Sequence, residues 1–190
     1  MPTVQRSRAI RSQAFRAARV RRTPQPHPVR GDWRSRIHHR PDPGGGAGHT
    51  APAPRVLLVD DEGAIRTICR VNLESDGLTV LEAADGREAI GAIREERPEL
   101  VLLDVMMPEV DGWEVAERLA SDPATRDIPV VFLSARASRE DKVRAKELGA
   151  VGYVVKPFDP LELGAYVREV IERSRNGERE QLNREIADTE

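Results

Sequence analysis

Val56-Leu57-Leu58-Val59-Asp60-Asp61 and Leu100-Val101-Leu102-Leu103-Asp104 are two apolar runs that each end on carboxylates. Short uninterrupted apolar runs read as strands buried on both faces, the condition of a parallel sheet covered by helices. Ligands of such sheets bind just outside the carboxyl ends of the strands. The sequence therefore sets Asp60, Asp61 and Asp104 on the rim where an α/β fold does its chemistry. Three close carboxylates repel one another, which raises their pKa values unless a cation neutralises them. An all-oxygen cluster suits Mg²⁺, which takes a few carboxylates and completes its octahedron with water and phosphate oxygens. A divalent metal beside a strand-end carboxylate points to phosphoryl chemistry.

On either side of these runs, from Arg55 onward, strands and helices alternate with short connections, the pattern of an α/β sheet. A first strand at about 55–59 leads to a helix around 63–75 with Ile65, Ile68, Cys69 and Leu73 on one face, ended by Asp76-Gly77. A second strand at about 78–82 precedes a helix near 86–95 that turns Ala89, Ile90 and Ile93 inward. The third strand, about 99–103, delivers Asp104, then a loop with Pro108 and a helix from about Gly112 with Val115 and Leu119. Pro129 opens a fourth strand, Val130-Val131-Phe132-Leu133, closed by Ser134. The next helix, near 138–148, packs Val143 and Leu148 and stops at Gly149, a C-cap position. The fifth strand, Gly152-Tyr153-Val154-Val155, delivers Lys156, and a last helix over about 159–174 faces Leu163, Val167, Val170 and Ile171 inward. These five βα units make one domain without internal repeat.

Charge is distributed unevenly. Residues 1–55 hold twelve Arg, no Lys and two acids, Asp32 and Asp42, whereas the remainder holds 18 basic and 30 acidic residues. The body is therefore acidic and does not call for nucleic acid as its partner. All four histidines (His27, His38, His39, His49) lie in the first segment. That excludes a histidine base, a histidine phosphocarrier and a His-ligated zinc site from the body. The lone cysteine, Cys69, sits on an apolar helical face and reads as a packing residue. No stretch approaches the roughly 20 apolar residues of a membrane span, so the expected location is the cytoplasm.

Residues 1–54, rich in Arg, Pro and Gly with few apolar residues, read as a disordered extension. An upstream stretch without selected function is the preferred explanation, ahead of a basic arm and of a transit peptide.

Each unusual residue of the body falls at a strand's carboxyl end: Asp60 and Asp61 after the first, Asp104 after the third, Ser134 after the fourth, Lys156 after the fifth. Singly, an Asp or Ser there is a helix cap or turn residue and a Lys is a solvated charge. Together they put an acid pair, a third acid, a hydroxyl and a cation on one rim.

On the stretches Val59-Asp60-Asp61-Glu62, Leu103-Asp104-Val105-Met106-Met107-Pro108 with Asp111-Gly112, Ser134-Ala135, and Tyr153-Val154-Val155-Lys156-Pro157-Phe158, residues 55–175 resemble the receiver domain of two-component response regulators. The likeness is to the stand-alone, chemotaxis-regulator type and covers about two-thirds of the chain. It implies a flavodoxin-like, doubly wound, five-stranded parallel sheet of order 2-1-3-4-5 with five helices. It also implies that Asp104 is the phosphoacceptor for a sensor histidine kinase or a histidine phosphotransfer protein. Asp61 and Asp104 would ligate Mg²⁺ directly, Asp60 largely through water, and Met106 through its backbone carbonyl. Lys156 and Ser134 would contact phosphoryl oxygens. Tyr153, on the residues alone, is an aromatic half-buried under the neighbouring helix; the resemblance makes it a rotamer switch that follows Ser134. The output face would be the fourth helix, fifth strand and fifth helix, carrying Arg139, Lys142 and Lys146. Met106 and Arg136 would border the phosphoryl group and slow its hydrolysis, and Lys156-Pro157 would be a cis bond.

Residues 176–190 form a charged tail in which Leu182 and Ile186 are an isolated apolar pair, extending the last helix or staying loose. Such a tail cannot build a helix-turn-helix, so no DNA-binding output domain is expected. The oligomeric state is open, a homodimer included. Competing readings are an unphosphorylated binding module of the same fold, a DNA-binding protein acting through the Arg-rich arm, and a phosphohydrolase with an aspartate nucleophile. The last is opposed by the adjacent Asp60-Asp61 pair and the absence of a cap insertion.

Overall fold

The computed structural model describes residues 52–186. The expectation of disorder over residues 1–54 therefore falls, up to residue 51, outside the described residues.

Five parallel strands, β1 (Arg55–Val59), β2 (Thr79–Ala83), β3 (Leu100–Asp104), β4 (Val130–Ser134) and β5 (Gly152–Val155), lie in the order β2-β1-β3-β4-β5. The flavodoxin-like fold and its strand order are as the resemblance implies. β3 and β4 are buried at every position, which is why their sequences are continuous apolar runs rather than alternating ones. Side chains still alternate between faces. Leu57 and Val59 of β1 join one apolar cluster with Val101, Leu103 and Phe132, whereas Val56 and Leu58 join another with Leu100, Leu102, Val131 and Leu133.

Each cluster is closed by its own helices. α1 (Gly63–Ser75) and α5 (Pro160–Arg175) cover the second cluster with Cys69, Leu73, Leu163, Val167, Val170 and Ile171. α2 (Gly86–Glu96), α3 (Gly112–Ser121) and α4 (Arg139–Glu147) cover the first. Side chains start most of these helices: Asp85, Asp111, Ser138 and Asp159 each accept backbone N–H bonds at their N-caps.

Three details differ from the sequence reading. Ile68 is half exposed, because the buried stripe of α1 runs through Cys69 and Leu73 and leaves Ile68 at its margin. In α4 the buried side chain is Ala145, not Val143, which is exposed; two residues are 200° apart on a helix and cannot both face inward. The count of helices among the described residues is six. After Gly177, whose φ of 83° reverses the chain, α6 (Arg179–Glu185) neither extends α5 nor stays loose. Leu182 and Ile186 are both buried, so the pair that looked isolated in sequence has tertiary partners.

Candidate functional site

The sheet order reverses between β1 and β3, and the carboxyl ends of these adjacent strands stand side by side at that switch point, where ligands of open α/β sheets bind. Parallel pairing of Val59 with Leu103 brings Asp60 and Asp104 level with each other. Both are buried, at 0% and 3% exposure, and Asp61 beside them is exposed. One carboxylate oxygen from each of the three lies within 4.8 Å of the others.

Lys156, delivered by β5, reaches across the rim to both buried acids. Its Nζ donates to Asp60 Oδ2 at 2.6 Å and to Asp104 Oδ2 at 3.0 Å. The second oxygen of each acid is held by backbone, Asp60 Oδ1 by Glu62 N–H at 2.8 Å and Asp104 Oδ1 by Met106 N–H at 3.2 Å. Burial pushes the Asp104 carboxyl above its ordinary pKa, a shift that the Lys156 ammonium and the Met106 N–H reduce without cancelling. For Lys156 burial works against the charge, but its hydrogen bonds to Asp60 and Asp104 prevail and hold its pKa above the usual lysine value. A single ammonium is thus shared by two of the three clustered carboxylates. The donor set is all oxygen and anionic, which fits a hard divalent cation such as Mg²⁺.

Ser134 ends β4 fully buried, and its Oγ accepts the Arg136 N–H at 3.0 Å. Lys156 N–H donates to the Ser134 carbonyl at 2.7 Å, which ties the ends of β4 and β5. Tyr153 is buried rather than half-buried, and its hydroxyl donates to the Arg136 carbonyl at 2.9 Å. Ser134 and Tyr153 therefore grip the same residue of the β4–α4 loop from two sides. Burial raises the Tyr153 pKa, so the hydroxyl is a donor at neutral pH. Met106 is exposed beside Asp104, and Arg136 is exposed two residues beyond Ser134. The Lys156-Pro157 bond is cis.

Sequence reasoning missed a few contributors. Gly112 allows α3 to start directly against the backbone of Asp104 and Val105, where a Cβ has no room. The Asp111-Gly112 pair is visible in the sequence, but only the packing shows this purpose. Arg66 donates to the Asp60 carbonyl at 2.5 Å, fixing the acid pair from α1. Trp113 packs against Phe132 with the rings tilted by 48° and their centres 4.6 Å apart, and Phe132 in turn lies 6.2 Å from Tyr153. Cys69 is buried as expected, and burial pushes its thiol up to about 11, which leaves it inert at neutral pH.

Comparison with known proteins agrees with this geometry. The model of the response regulator receiver domain matches residues 56–168. Solved structures of the same shape include the chemotaxis response regulator CheY4 of Vibrio cholerae (34% identical, TM-score 0.59, covering 62% of this chain and 98% of that one). The Francisella response regulator 1452 receiver domain is similar too (31% identical, TM-score 0.60, 64% and 98% covered). Among curated relatives, the phosphate regulon transcriptional regulatory protein PhoB of Pseudomonas aeruginosa is 41% identical over 125 residues, covering 66% of this chain and 55% of that protein. A probable transcriptional regulator ycf27 of Porphyridium aerugineum is 42% identical over 119 residues, 63% and 48% covered. The chain belongs to the response regulator receiver domain family, whose members are phosphoacceptors in two-component signalling. It spans about half the length of the curated relatives it matches. No helix among the described residues is long and apolar enough to cross a membrane.

Proposed function

We propose that this chain is a phosphorylation-switched response regulator in which Asp104 accepts a phosphoryl group from the phosphohistidine of a sensor kinase or phosphotransfer protein. The observation that carries the reading is the Lys156 ammonium bonded to both Asp60 and Asp104, with Asp61 within reach, at the switch point of the sheet. An Asp104 oxygen attacks phosphorus, the P–N bond breaks, and its electron pair returns to the imidazole nitrogen of the donor. Lys156 is placed to follow the incoming oxygens with its positive charge, and the Ser134 hydroxyl to donate to one of them. Asp60, Asp61, Asp104 and the Met106 carbonyl would hold Mg²⁺, which when bound offsets the charge that gathers on the phosphoryl oxygens.

When Ser134 turns toward the phosphoryl group, Arg136 N–H loses its acceptor and the β4–α4 loop is free to move, with Tyr153 following its carbonyl. Phosphorylation thereby biases a two-state element. The readout surface in this reading is α4, β5 and α5, and the output is altered protein binding in the cytoplasm. The receiver occupies residues 55–175, flanked by the Arg-rich extension 1–54 and the charged segment 176–190. Besides that transfer, the chain would phosphorylate itself from small phosphodonors and remove its own phosphate. The names of the relatives favour one second reading, regulation of transcription through DNA. A steep fall of DNA affinity with salt would support it.

The test is intact-protein mass after incubation with acetyl phosphate and Mg²⁺. One phosphoryl adduct, absent in Asp104→Ala and after chelation, is expected. No adduct in a rapidly quenched time course overturns the reading in favour of a binding module.

A further inference from the structure

α4 is the least anchored helix of the domain. Of its nine residues, Ala145 alone is buried, and its sequence is otherwise charged or exposed. Its N-terminal end follows the loop gripped by Ser134 and Tyr153. Along its length it is tied to α3 by Arg144, which pairs with Glu117 at 2.9 Å and lies 4.8 Å over the Trp113 ring. Its far end is held from elsewhere. The Asn183 side-chain amide of α6 donates to the Lys146 carbonyl in the last turn of α4 at 2.9 Å, and to the Ala150 carbonyl in the α4–β5 turn at 2.8 Å. Ile186 is buried in the cluster that holds Ala145 and Ala150, and Leu182 in the cluster on the opposite face of the sheet. α6 and Ile186, which caps it, thus wrap the β5 edge with one apolar side chain in each layer.

α6 is itself firmly seated. Arg173 of α5 binds Glu185 through both terminal nitrogens, at 2.9 and 2.8 Å, and Glu178 at 3.0 Å, while Arg179 donates to the Asp127 carbonyl at 2.7 Å. An element so attached gives the Lys146 carbonyl, which already accepts the Gly149 N–H at 3.0 Å, a second donor from outside its own helix.

We propose that α6 is a latch: by gripping the end of α4 it sets the resting position of the helix next to the switch loop. The grip on α4 stands on the contacts above; its bearing on signalling rests on the proposed phosphorylation of Asp104. Because the two events share one helix, linkage makes them reciprocal. Weakening the latch eases the movement of α4, and phosphorylation in turn loosens α6.

The experiment compares amide hydrogen exchange of the full chain with Asn183→Ala and Ile186→Ala, using Ile93→Ala in α2 as a control of comparable disruption. Exchange over residues 143–151 should accelerate by about tenfold or more in Asn183→Ala, with α1 unchanged. Ile93→Ala should not single out that segment. Even acceleration across the domain, or none in α4, overturns the latch. In the second arm, acetyl phosphate and Mg²⁺ should accelerate exchange in α6 of the parent chain, and Asn183→Ala should reach half modification at a lower donor concentration. A full adduct with α6 exchange unmoved overturns the coupling. No adduct in any chain, with α4 released by Asn183→Ala as expected, overturns the reading of Asp104 and leaves the grip on α4 established.

Discussion

Substituting Gly112 by alanine tests how tightly the site is built. Gly112 opens α3, and a Cβ there would lie 2.9 Å from both the Asp104 carbonyl carbon and Val105 Cα, and closer still to the Asp104 carbonyl oxygen. Carbon atoms sit comfortably at about 3.5–4.0 Å, so α3 and the end of β3 must separate by roughly 0.6–1 Å. Neither neighbour is a side chain that can rotate away. Overpacking of this kind costs about 1–3 kcal/mol, which for a domain of this size lowers the melting temperature by roughly 5–15 °C. The displaced backbone is that of Asp104, the proposed phosphoacceptor, and a displacement near 1 Å at a reacting group costs on the order of 10²-fold in rate. Thermal melting and the initial rate of phosphoadduct formation measure both effects. Gly91→Ala is the matched control: it is an exposed helical position with no atom within 4 Å of the added carbon. It should stabilise by about 0.5–1 kcal/mol and leave phosphorylation unchanged. A Gly112→Ala protein that melts and phosphorylates like the parent would show that α3 is not packed against the end of β3 as described.

Further outcomes follow from the same geometry. Lys156→Met leaves two buried carboxylates without their cation and should cost about 3–5 kcal/mol at neutral pH, a loss that acid relieves; urea titration at pH 5 and 7 tells, and equal losses at both would refute it. Asp104 has a raised pKa in the folded state, so between its ordinary value of 3.8 and the raised one the folded chain binds more protons than the unfolded chain. Ionisation of Asp104 therefore lowers stability as pH rises. In metal-free protein the stability of Asp104→Asn relative to the parent should climb with pH through that window, and a falling difference would contradict the assignment. Tyr153→Phe removes the donor to the Arg136 carbonyl and should cost about 0.5–1.5 kcal/mol while leaving adduct formation intact; loss of the adduct would place Tyr153 in the chemistry rather than in the loop. Met106→Asn should shorten the phosphoaspartate lifetime by opening the side of Asp104 to water, and an unchanged decay would exclude Met106 as a barrier.

Much of this protein is legible in one dimension because its sheet is buried on both faces. Uninterrupted apolar runs mark β1, β3 and β4, and a strand that ends on Asp, Ser or Lys announces the residue that stands on the rim. The acid cluster and Lys156 could be named from order alone, since parallel strands put all their carboxyl ends on one side. What order could not supply is anything set by partners distant in sequence. Val143 rather than Ala145 looks like the core residue of α4, until the orientation of the helix on the sheet is known. Tyr153 reads as packing or as switch, and only the fold shows that its hydroxyl donates to the Arg136 carbonyl. Leu182 and Ile186 look stranded in a charged segment, because their partners lie in two layers that only the wrapped β5 edge brings within one helix's reach. Periodicity and strand ends reside in neighbouring residues, and the sequence determined those alone. The seat of α6, the close approach at Gly112 and the shared grip on Arg136 depend on how layers meet, and the tertiary structure decided them.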